Sequence, residues 1–82
     1  SQSSFEVFRF YHQDCPLCKL QSNKYKKLGY KYPFINFKSI DCKINLQKCS
    51  INSINSVPTI LIVQNSQLLL KLDESSQLSL LE

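Results

Sequence analysis

The sequence predicts a single α/β domain with a mixed four-stranded sheet and the element order β-α-β-α-β-β-α. Three features support this fold class. Apolar runs of strand length alternate with segments of helical periodicity, a helix separates the first two strands, and a two-residue turn separates the last two. The helical connection implies a parallel crossover, and the short turn implies a hairpin. The length of 82 residues accommodates one domain, predicted to span 1–82.

The composition is that of a globular domain. Hydrophobic residues make up 43% and charged residues 20% of the chain. No apolar stretch approaches the ~20 residues that span a membrane. The net charge of +4 arises mainly from lysines between 19 and 31, where arginine is scarce and no basic-aromatic motif occurs. We interpret this cluster as a solvated helix face and expect no nucleic-acid partner. The opening residues 1–4 lack a methionine and an apolar signal core, so we expect a mature chain or a piece of a longer one.

The first strand and the helix after it are predicted from clear local signals. Phe5 to Tyr11 is apolar on nearly both faces, which is typical of a central, buried strand. The helix is predicted to begin at Pro16, where a missing N–H is tolerated. Its end is predicted near Gly29, the only glycine of the chain.

The second strand and second helix follow. The strand is predicted from Phe34 to Ile40, entered through Pro33 and ended by Asp41. The helix is predicted between Lys43 and Asn52 because apolar residues recur there at roughly helical spacing. These residues are Ile44, Leu46 or Gln47, and Ile51.

The last three elements are a hairpin and a short helix. The third strand is predicted over Ile60 to Val63 and the fourth over Leu68 to Leu72, joined by a turn at Asn65-Ser66. Ser75 or Ser76 is predicted to cap a final helix that runs through Leu81.

Two cysteines lie where the first strand passes into the first helix, in the segment Cys15-Pro16-Leu17-Cys18. A cysteine at a helix N-terminus faces unpaired backbone N–H groups and the positive end of the helix dipole, which stabilise a thiolate. Because the thiolate is the nucleophile of disulfide exchange, we predict that Cys15 attacks and that Cys18 resolves the mixed disulfide. The alternatives are an inert structural disulfide and half of a zinc site.

A second cysteine pair, Cys42 and Cys49, has six intervening residues. It could complete a four-cysteine zinc site, but the wide gap disfavours this, and we expect neither a metal nor a cofactor. We predict a structural disulfide, since closing a short loop adds about 2 to 3 kcal/mol of stability. The alternative is a second redox pair that relays electrons to Cys15 and Cys18.

Three charged or titratable residues are predicted to modulate the thiol pKa values. Arg9 and His12 are expected to stabilise the Cys15 thiolate, whereas a neighbouring carboxylate at Asp14 raises the pKa of Cys15. His12 is the only histidine, and a solvated loop residue is the alternative interpretation of it.

The element order, with C-x-x-C at the start of the first helix, resembles the minimal thioredoxin fold. Within that superfamily, the segment from Cys18 to Leu28 is similar to the one that follows the active-site pair in catalytic domains of protein disulfide isomerase. The spacing of Cys42 and Cys49, followed by Val57-Pro58-Thr59, also resembles those domains. The resemblance implies a cis Pro58 next to the Cys15–Cys18 pair and a substrate-binding loop formed by Val57, Pro58 and Thr59.

The chain departs from that family at several positions. Asp14 stands where the family has tryptophan, and Arg9 stands where it has a buried acid that helps to deprotonate the second cysteine. The Cys-Pro-x-Cys segment and Val57-Pro58 are also similar to glutaredoxin. The glutathione-holding Gly-Gly-Asp-like segment of that family is missing, since residues 64–73 contain no glycine.

The resemblance implies a thiol-disulfide oxidoreductase that acts on protein thiols and disulfides and exchanges electrons with a redox partner protein. One alternative is a cytosolic thioredoxin- or glutaredoxin-like reductase. The other is a non-catalytic peptide-binding module with a vestigial cysteine pair. Four cysteines in 82 residues favour an oxidising compartment such as the endoplasmic reticulum lumen, with the cytoplasm as the alternative.

Overall fold

The computed structural model describes residues 5–73. Six elements follow one another along this part of the chain: β1 (Phe5–Tyr11), α1 (Pro16–Lys31), β2 (Asn36–Asp41), α2 (Leu46–Ile51), β3 (Thr59–Gln64) and β4 (Gln67–Leu72). The final helix predicted between Ser75 and Leu81 lies outside the described residues.

The four strands form one sheet in the order β2-β1-β3-β4. β1 pairs with β2 in parallel and with β3 in antiparallel orientation, and β3 pairs with β4 in antiparallel orientation. The predicted fold class, an α/β domain with a mixed four-stranded sheet, is therefore confirmed. As the apolar character of both its faces predicts, β1 is a central strand. None of the described helices has the length and apolar character needed to cross a membrane.

The two faces of β1 differ in chemistry because successive side chains of a strand point to opposite sides. Phe10, only 1% exposed, packs on one face in an apolar cluster with Ile40, Cys49 and Leu61. On the other face Arg9 bonds to α1. The sheet thus separates an apolar core beside α2 from a partly polar layer beneath α1.

Helix α1 extends past its predicted end. Gly29 lies inside the helix, and a Cβ added there would meet the Phe37 ring at an ordinary distance of 3.9 Å. The backbone N–H of Tyr32 still donates to the Leu28 carbonyl at 2.9 Å. The helix stops because Pro33 disfavours helical backbone at the residue before it, and Tyr32 accordingly has φ −122° and ψ 71°.

β2 begins two residues later than predicted. The N–H of Ile35 donates to the carbonyl of Tyr32 at 3.1 Å and closes a turn, which leaves Phe34 outside the strand and 81% exposed. The late start follows from the longer α1, because the turn after that helix uses the residues predicted to open the strand.

The prediction for α2 was wrong in extent and in orientation. The helix covers only six residues, because Asp41 holds the preceding segment in a turn: its side chain accepts from the N–H of Lys43 and its carbonyl accepts from the N–H of Asn45. Cys49 faces the core. The apolar residues whose spacing predicted this helix, and which an amphipathic helix would turn to the core, are instead between 71% and 78% exposed: Ile44, Leu46 and Ile51.

The hairpin agrees with its prediction. Asn65 and Ser66 connect β3 to β4, and both have positive φ values, 51° and 66°. Two consecutive left-handed residues are typical of a type I′ turn, whose twist matches that of paired strands.

Candidate active site

Cys15 and Cys18 form a disulfide at the junction between β1 and α1. Cys15 is the N-cap of α1, and its Sγ accepts a hydrogen bond of 3.1 Å from the backbone N–H of Cys18. The N–H of Cys15 donates to the His12 carbonyl at 3.3 Å, which closes the loop after β1. Because α1 is 16 residues long and has no acidic residue in its first turn, the positive end of its dipole lies uncompensated at Cys15.

Access to the two cysteines is unequal. Cys15 is 8% exposed and Cys18 is 1% exposed. An incoming thiolate therefore meets Cys15 first, and Cys18 lies behind it in the first turn of the helix.

The loop before β3 comes to the same place. The Val57–Pro58 peptide bond is cis, and the carbonyl oxygen of Val57 lies 3.9 Å from Sγ of Cys15. Pro58 and Thr59 are buried, and the Thr59 hydroxyl donates to the Ser56 carbonyl at 2.7 Å. The fold thus joins the cysteine pair to the loop predicted to bind substrate, although 41 residues separate Cys15 from that loop.

Arg9 lies beneath the first turn of α1 and is only 6% exposed. Its Nη2 donates to the carbonyl of Cys18 at 2.7 Å, and its Nε donates to Oε1 of Gln21 at 2.8 Å. The guanidinium also lies over two aromatic rings, 4.6 Å from the Tyr11 centroid and 5.6 Å from the Tyr25 centroid. These contacts bring Arg9 to Cys18, whereas the sequence predicted an effect on Cys15.

The Arg9 charge is buried without a carboxylate, since no ion pair to it forms within residues 5–73. Burial lowers the pKa of Arg9, against the smaller opposing influence of Tyr25 and Tyr11. A guanidinium stays protonated in proteins, so the site keeps a fixed positive charge. Burial also raises the pKa of Tyr25 to about 12, which keeps this neighbouring phenol neutral.

Gln21 and Tyr25 were missed by the sequence analysis. Gln21 lies one turn after Cys18, and Tyr25 one turn further on, so that both reach Arg9 across the layer between α1 and the sheet. The available signal was their spacing from Cys18, which places them on the buried face of the helix.

His12 and Asp14 occupy the loop between β1 and α1. Nδ1 of His12 is buried and has no hydrogen-bond partner in the part of the chain that the structure describes. Asp14 is exposed and forms an ion pair with Lys43, whose hydrogen bond lowers the pKa of the Asp14 carboxyl. The carboxylate that was expected to act on Cys15 is therefore paired with Lys43.

Cys42 and Cys49 form the second disulfide. Cys42 follows β2, and its N–H donates to the carbonyl of Tyr11 at 2.8 Å. Cys49 is 6% exposed and belongs to the apolar cluster around Phe10. A four-cysteine zinc site requires the four thiols to converge on one ion, whereas here they are joined in two separate pairs.

A C-x-x-C disulfide at a helix N-terminus, on an α/β domain with a mixed sheet, defines a thiol-disulfide oxidoreductase. Comparison with known proteins agrees: the family model "Thioredoxin" matches residues 1–82. The chain belongs to the thioredoxin family. No curated protein sequence matches it.

Solved structures show the same architecture. A thioredoxin from Fasciola hepatica superposes with a TM-score of 0.87 at 19% identity, over 96% of this chain and 76% of that one. Thioredoxin f from spinach chloroplast, in its long form, gives 0.85 at 26% identity, over 98% and 67%. A chain in a complex of ferredoxin:thioredoxin reductase with thioredoxin f2 gives 0.85 at 27% identity, over 98% and 74%.

Proposed function

We propose that this domain transfers its Cys15–Cys18 disulfide to protein substrates and rearranges incorrect pairings, as a catalytic domain of protein disulfide isomerase does. The observation that carries the proposal is the buried guanidinium of Arg9 at the carbonyl of Cys18. Reduction of the disulfide produces thiolates at this end of the helix, and a fixed cation nearby lowers their free energy. A disulfide whose reduced form is stabilised is a stronger oxidant.

The transfer begins with a substrate thiolate that attacks Sγ of Cys15. A sulfur–sulfur bond forms between the substrate and Cys15, the bond between Cys15 and Cys18 breaks, and its electron pair leaves on Cys18 as a thiolate. A second substrate thiolate then attacks the substrate sulfur of the mixed disulfide, and Cys15 leaves as a thiolate. The substrate gains one disulfide, the domain gains two electrons, and a redox partner protein with a disulfide restores the oxidised form.

The surrounding residues have separate roles in this proposal. The N–H of Cys18 and the helix N-terminus stabilise the Cys15 thiolate, and Arg9 stabilises the Cys18 thiolate. The loop of Val57, Pro58 and Thr59 receives the substrate backbone in an extended form, which brings a substrate cysteine to Cys15. His12, whose carbonyl accepts from the N–H of Cys15, is assigned as a further residue that stabilises a thiolate.

Paired assays test the direction of exchange. Refolding of reduced RNase measures oxidation, reactivation of scrambled RNase measures isomerisation, and reduction of insulin by a dithiol measures the reverse activity. We expect wild type to accelerate RNase refolding strongly and insulin reduction weakly. Efficient insulin reduction with no RNase refolding would overturn the proposal.

Trapping tests the order of attack. In Cys18→Ser the Cys15 thiolate attacks a disulfide of scrambled RNase, a bond forms between Cys15 and one substrate sulfur, and the other substrate sulfur leaves as a thiolate. Cys18 is then missing to resolve this mixed disulfide, so we expect a covalent adduct that is visible on a non-reducing gel. Cys15→Ser serves as the matched control and should form little adduct. Equal adducts from both variants would contradict the assignment of Cys15 as the attacking residue.

A second candidate is a reductase that receives electrons from a reductase protein. It is favoured by the similarity to a chain in the complex of ferredoxin:thioredoxin reductase with thioredoxin f2. The two candidates differ in reduction potential, about −180 mV for an isomerase against about −270 mV for thioredoxin. Undiminished function of the whole protein after Cys15→Ser would instead favour a peptide-binding module. We further propose an oxidising compartment such as the endoplasmic reticulum lumen, because the small domain carries two disulfides.

A further inference from the structure

A cavity of about 560 Å³ opens behind the active-site disulfide, between α1 and the ends of β1 and β2. Cys18 forms part of its wall, on the side that the Val57 loop does not cover. Its volume lies within the range of about 300 to 1,000 Å³ that is usual for small-molecule sites. The cavity is therefore large enough for a small ligand that lies beside Cys18, away from the Val57 loop.

The wall of this cavity is positively charged. Arg9, Lys19 and Lys26 line it, and no aspartate or glutamate does. The two lysines lie seven residues apart on α1, two turns of helix, and so project from the same face. Neither forms an ion pair with any residue between 5 and 73. Glu6 and Asp14, the acids nearest to Arg9 and Lys19 along the chain, are paired with Lys38 and Lys43.

Arg9 provides a fixed binding group. The side chain is more than nine-tenths buried and held by Cys18 and Gln21 through Nη2 and Nε. These two bonds use Nε and Nη2 of a group that has five N–H donors. Ser22 and Ser39, which carry hydroxyl groups, also line the cavity. A guanidinium flanked by lysines and serines matches the oxygens of a phosphate or carboxylate.

We propose that this cavity binds a small free molecule that carries phosphate or carboxylate groups, and that the bound anion favours the disulfide form of the domain. The coupling follows from the position of Cys18. In the reduced protein a thiolate at Cys18 and a ligand anion compete for the same Arg9 charge and repel each other. The anion therefore binds the oxidised form more tightly, and by linkage it stabilises the Cys15–Cys18 disulfide against reduction. This inference does not depend on the direction of exchange with substrates.

The test uses pyrophosphate and citrate as probes, titrated into the oxidised and the reduced protein at constant ionic strength and followed by calorimetry and amide chemical shifts. We expect pyrophosphate, citrate or both to bind the oxidised form, with shifts centred on residues that line the cavity. Binding of pyrophosphate alone assigns the ligand to the phosphate class, and binding of citrate alone to the carboxylate class. Affinity for the reduced form should be lower by at least about fivefold.

Matched lysine variants separate the cavity from general surface charge. Lys26→Gln removes a cavity lysine, and Lys27→Gln removes the neighbouring charge of the same helix, which does not line this cavity. We expect at least about a fivefold loss of probe affinity for Lys26→Gln and little change for Lys27→Gln. Arg9→Gln should abolish binding if it folds, and Lys26→Gln remains informative if it does not. Equal losses from the two lysine variants, or binding no tighter than that of chloride, would overturn the site. Equal affinity for oxidised and reduced protein would overturn the coupling.

Discussion

The two disulfides of this domain begin at equivalent places and lie in different environments. Cys15 follows β1 and Cys42 follows β2, so both pairs start at the same edge of the sheet. The first pair caps a 16-residue helix beside a buried cation and a cavity that basic residues line. The second is held against the apolar cluster of Phe10 by Cys49. We therefore propose that the first disulfide serves exchange and the second serves stability.

Loop closure alone does not distinguish the two pairs. The chain-entropy model gives about 2.5 kcal/mol for the loop from Cys42 to Cys49 and about 2 kcal/mol for the shorter loop from Cys15 to Cys18. The difference therefore lies in how far each environment stabilises a thiolate. In our proposal the helix N-terminus and Arg9 stabilise a thiolate at the first pair, whereas the apolar cluster disfavours a thiolate at the second.

The largest expected effect is the loss of activity when the first cysteine pair is removed. Cys15→Ser removes the sulfur that a substrate thiolate attacks, and we expect RNase refolding activity to fall on the order of 10³-fold. The matched control is Cys42→Ser combined with Cys49→Ser, which should keep most of the activity when assayed well below its unfolding temperature. Comparable losses in both would mean that the second pair takes part in exchange.

The next effect concerns stability. Combined Cys42→Ser and Cys49→Ser should lower the free energy of unfolding by about 2 to 3 kcal/mol, measured by urea denaturation without reductant. A change below about 0.5 kcal/mol would be incompatible with a structural role for this disulfide.

Arg9→Gln is expected to change the reduction potential of only one cysteine pair, Cys15–Cys18. Without the cation the thiolates of the first pair lose stabilisation, so we expect its reduction potential to become more negative by about 30 mV or more. Equilibration with glutathione measures the shift. The Cys42–Cys49 pair is the internal control and should not change. A shift of the first pair to a less negative potential would contradict the role given to Arg9.

The smallest effect concerns the ion pair that bridges the two cysteine-bearing loops. Lys43 lowers the pKa of Asp14 in the folded protein. The pair therefore stabilises the fold above the unfolded-state carboxyl pKa of about 3.9. This stabilisation is lost as the pH falls through the lower pKa of the folded state. We expect Asp14→Asn and Lys43→Gln each to flatten the loss of thermal stability below about pH 4. If both variants lose thermal stability at low pH as wild type does, the ion pair does not contribute to the stability of the fold.

Much of the fold was predictable because strong local signals agreed with it. The apolar β1, the Asn65-Ser66 turn and the cysteine pair ahead of a helix each depend on a few neighbouring residues. The errors arose where two local signals competed. Pro33, and not Gly29, ended α1, and the turn at Asp41 displaced the start of α2.

The electrostatics of the site were less predictable than its sulfur chemistry. The position of Arg9 was identified, but its partners Gln21 and Tyr25 come from packing of α1 on the sheet and carry no distinctive pattern in the sequence. The pairing of Asp14 with Lys43 likewise joins residues 29 positions apart. Such contacts follow from the tertiary structure, and they determine which thiolate each charge reaches.

We propose that Arg9 and the helix N-terminus make the Cys15–Cys18 disulfide an oxidant, while the Cys42–Cys49 disulfide stays oxidised. The most direct test equilibrates the protein across a graded thiol-disulfide redox buffer, alkylates free thiols and measures each pair by mass spectrometry. We predict that Cys15–Cys18 is half reduced near about −180 mV and that Cys42–Cys49 stays oxidised down to about −300 mV. A first pair half reduced near about −270 mV, or two pairs that titrate together, would contradict the account.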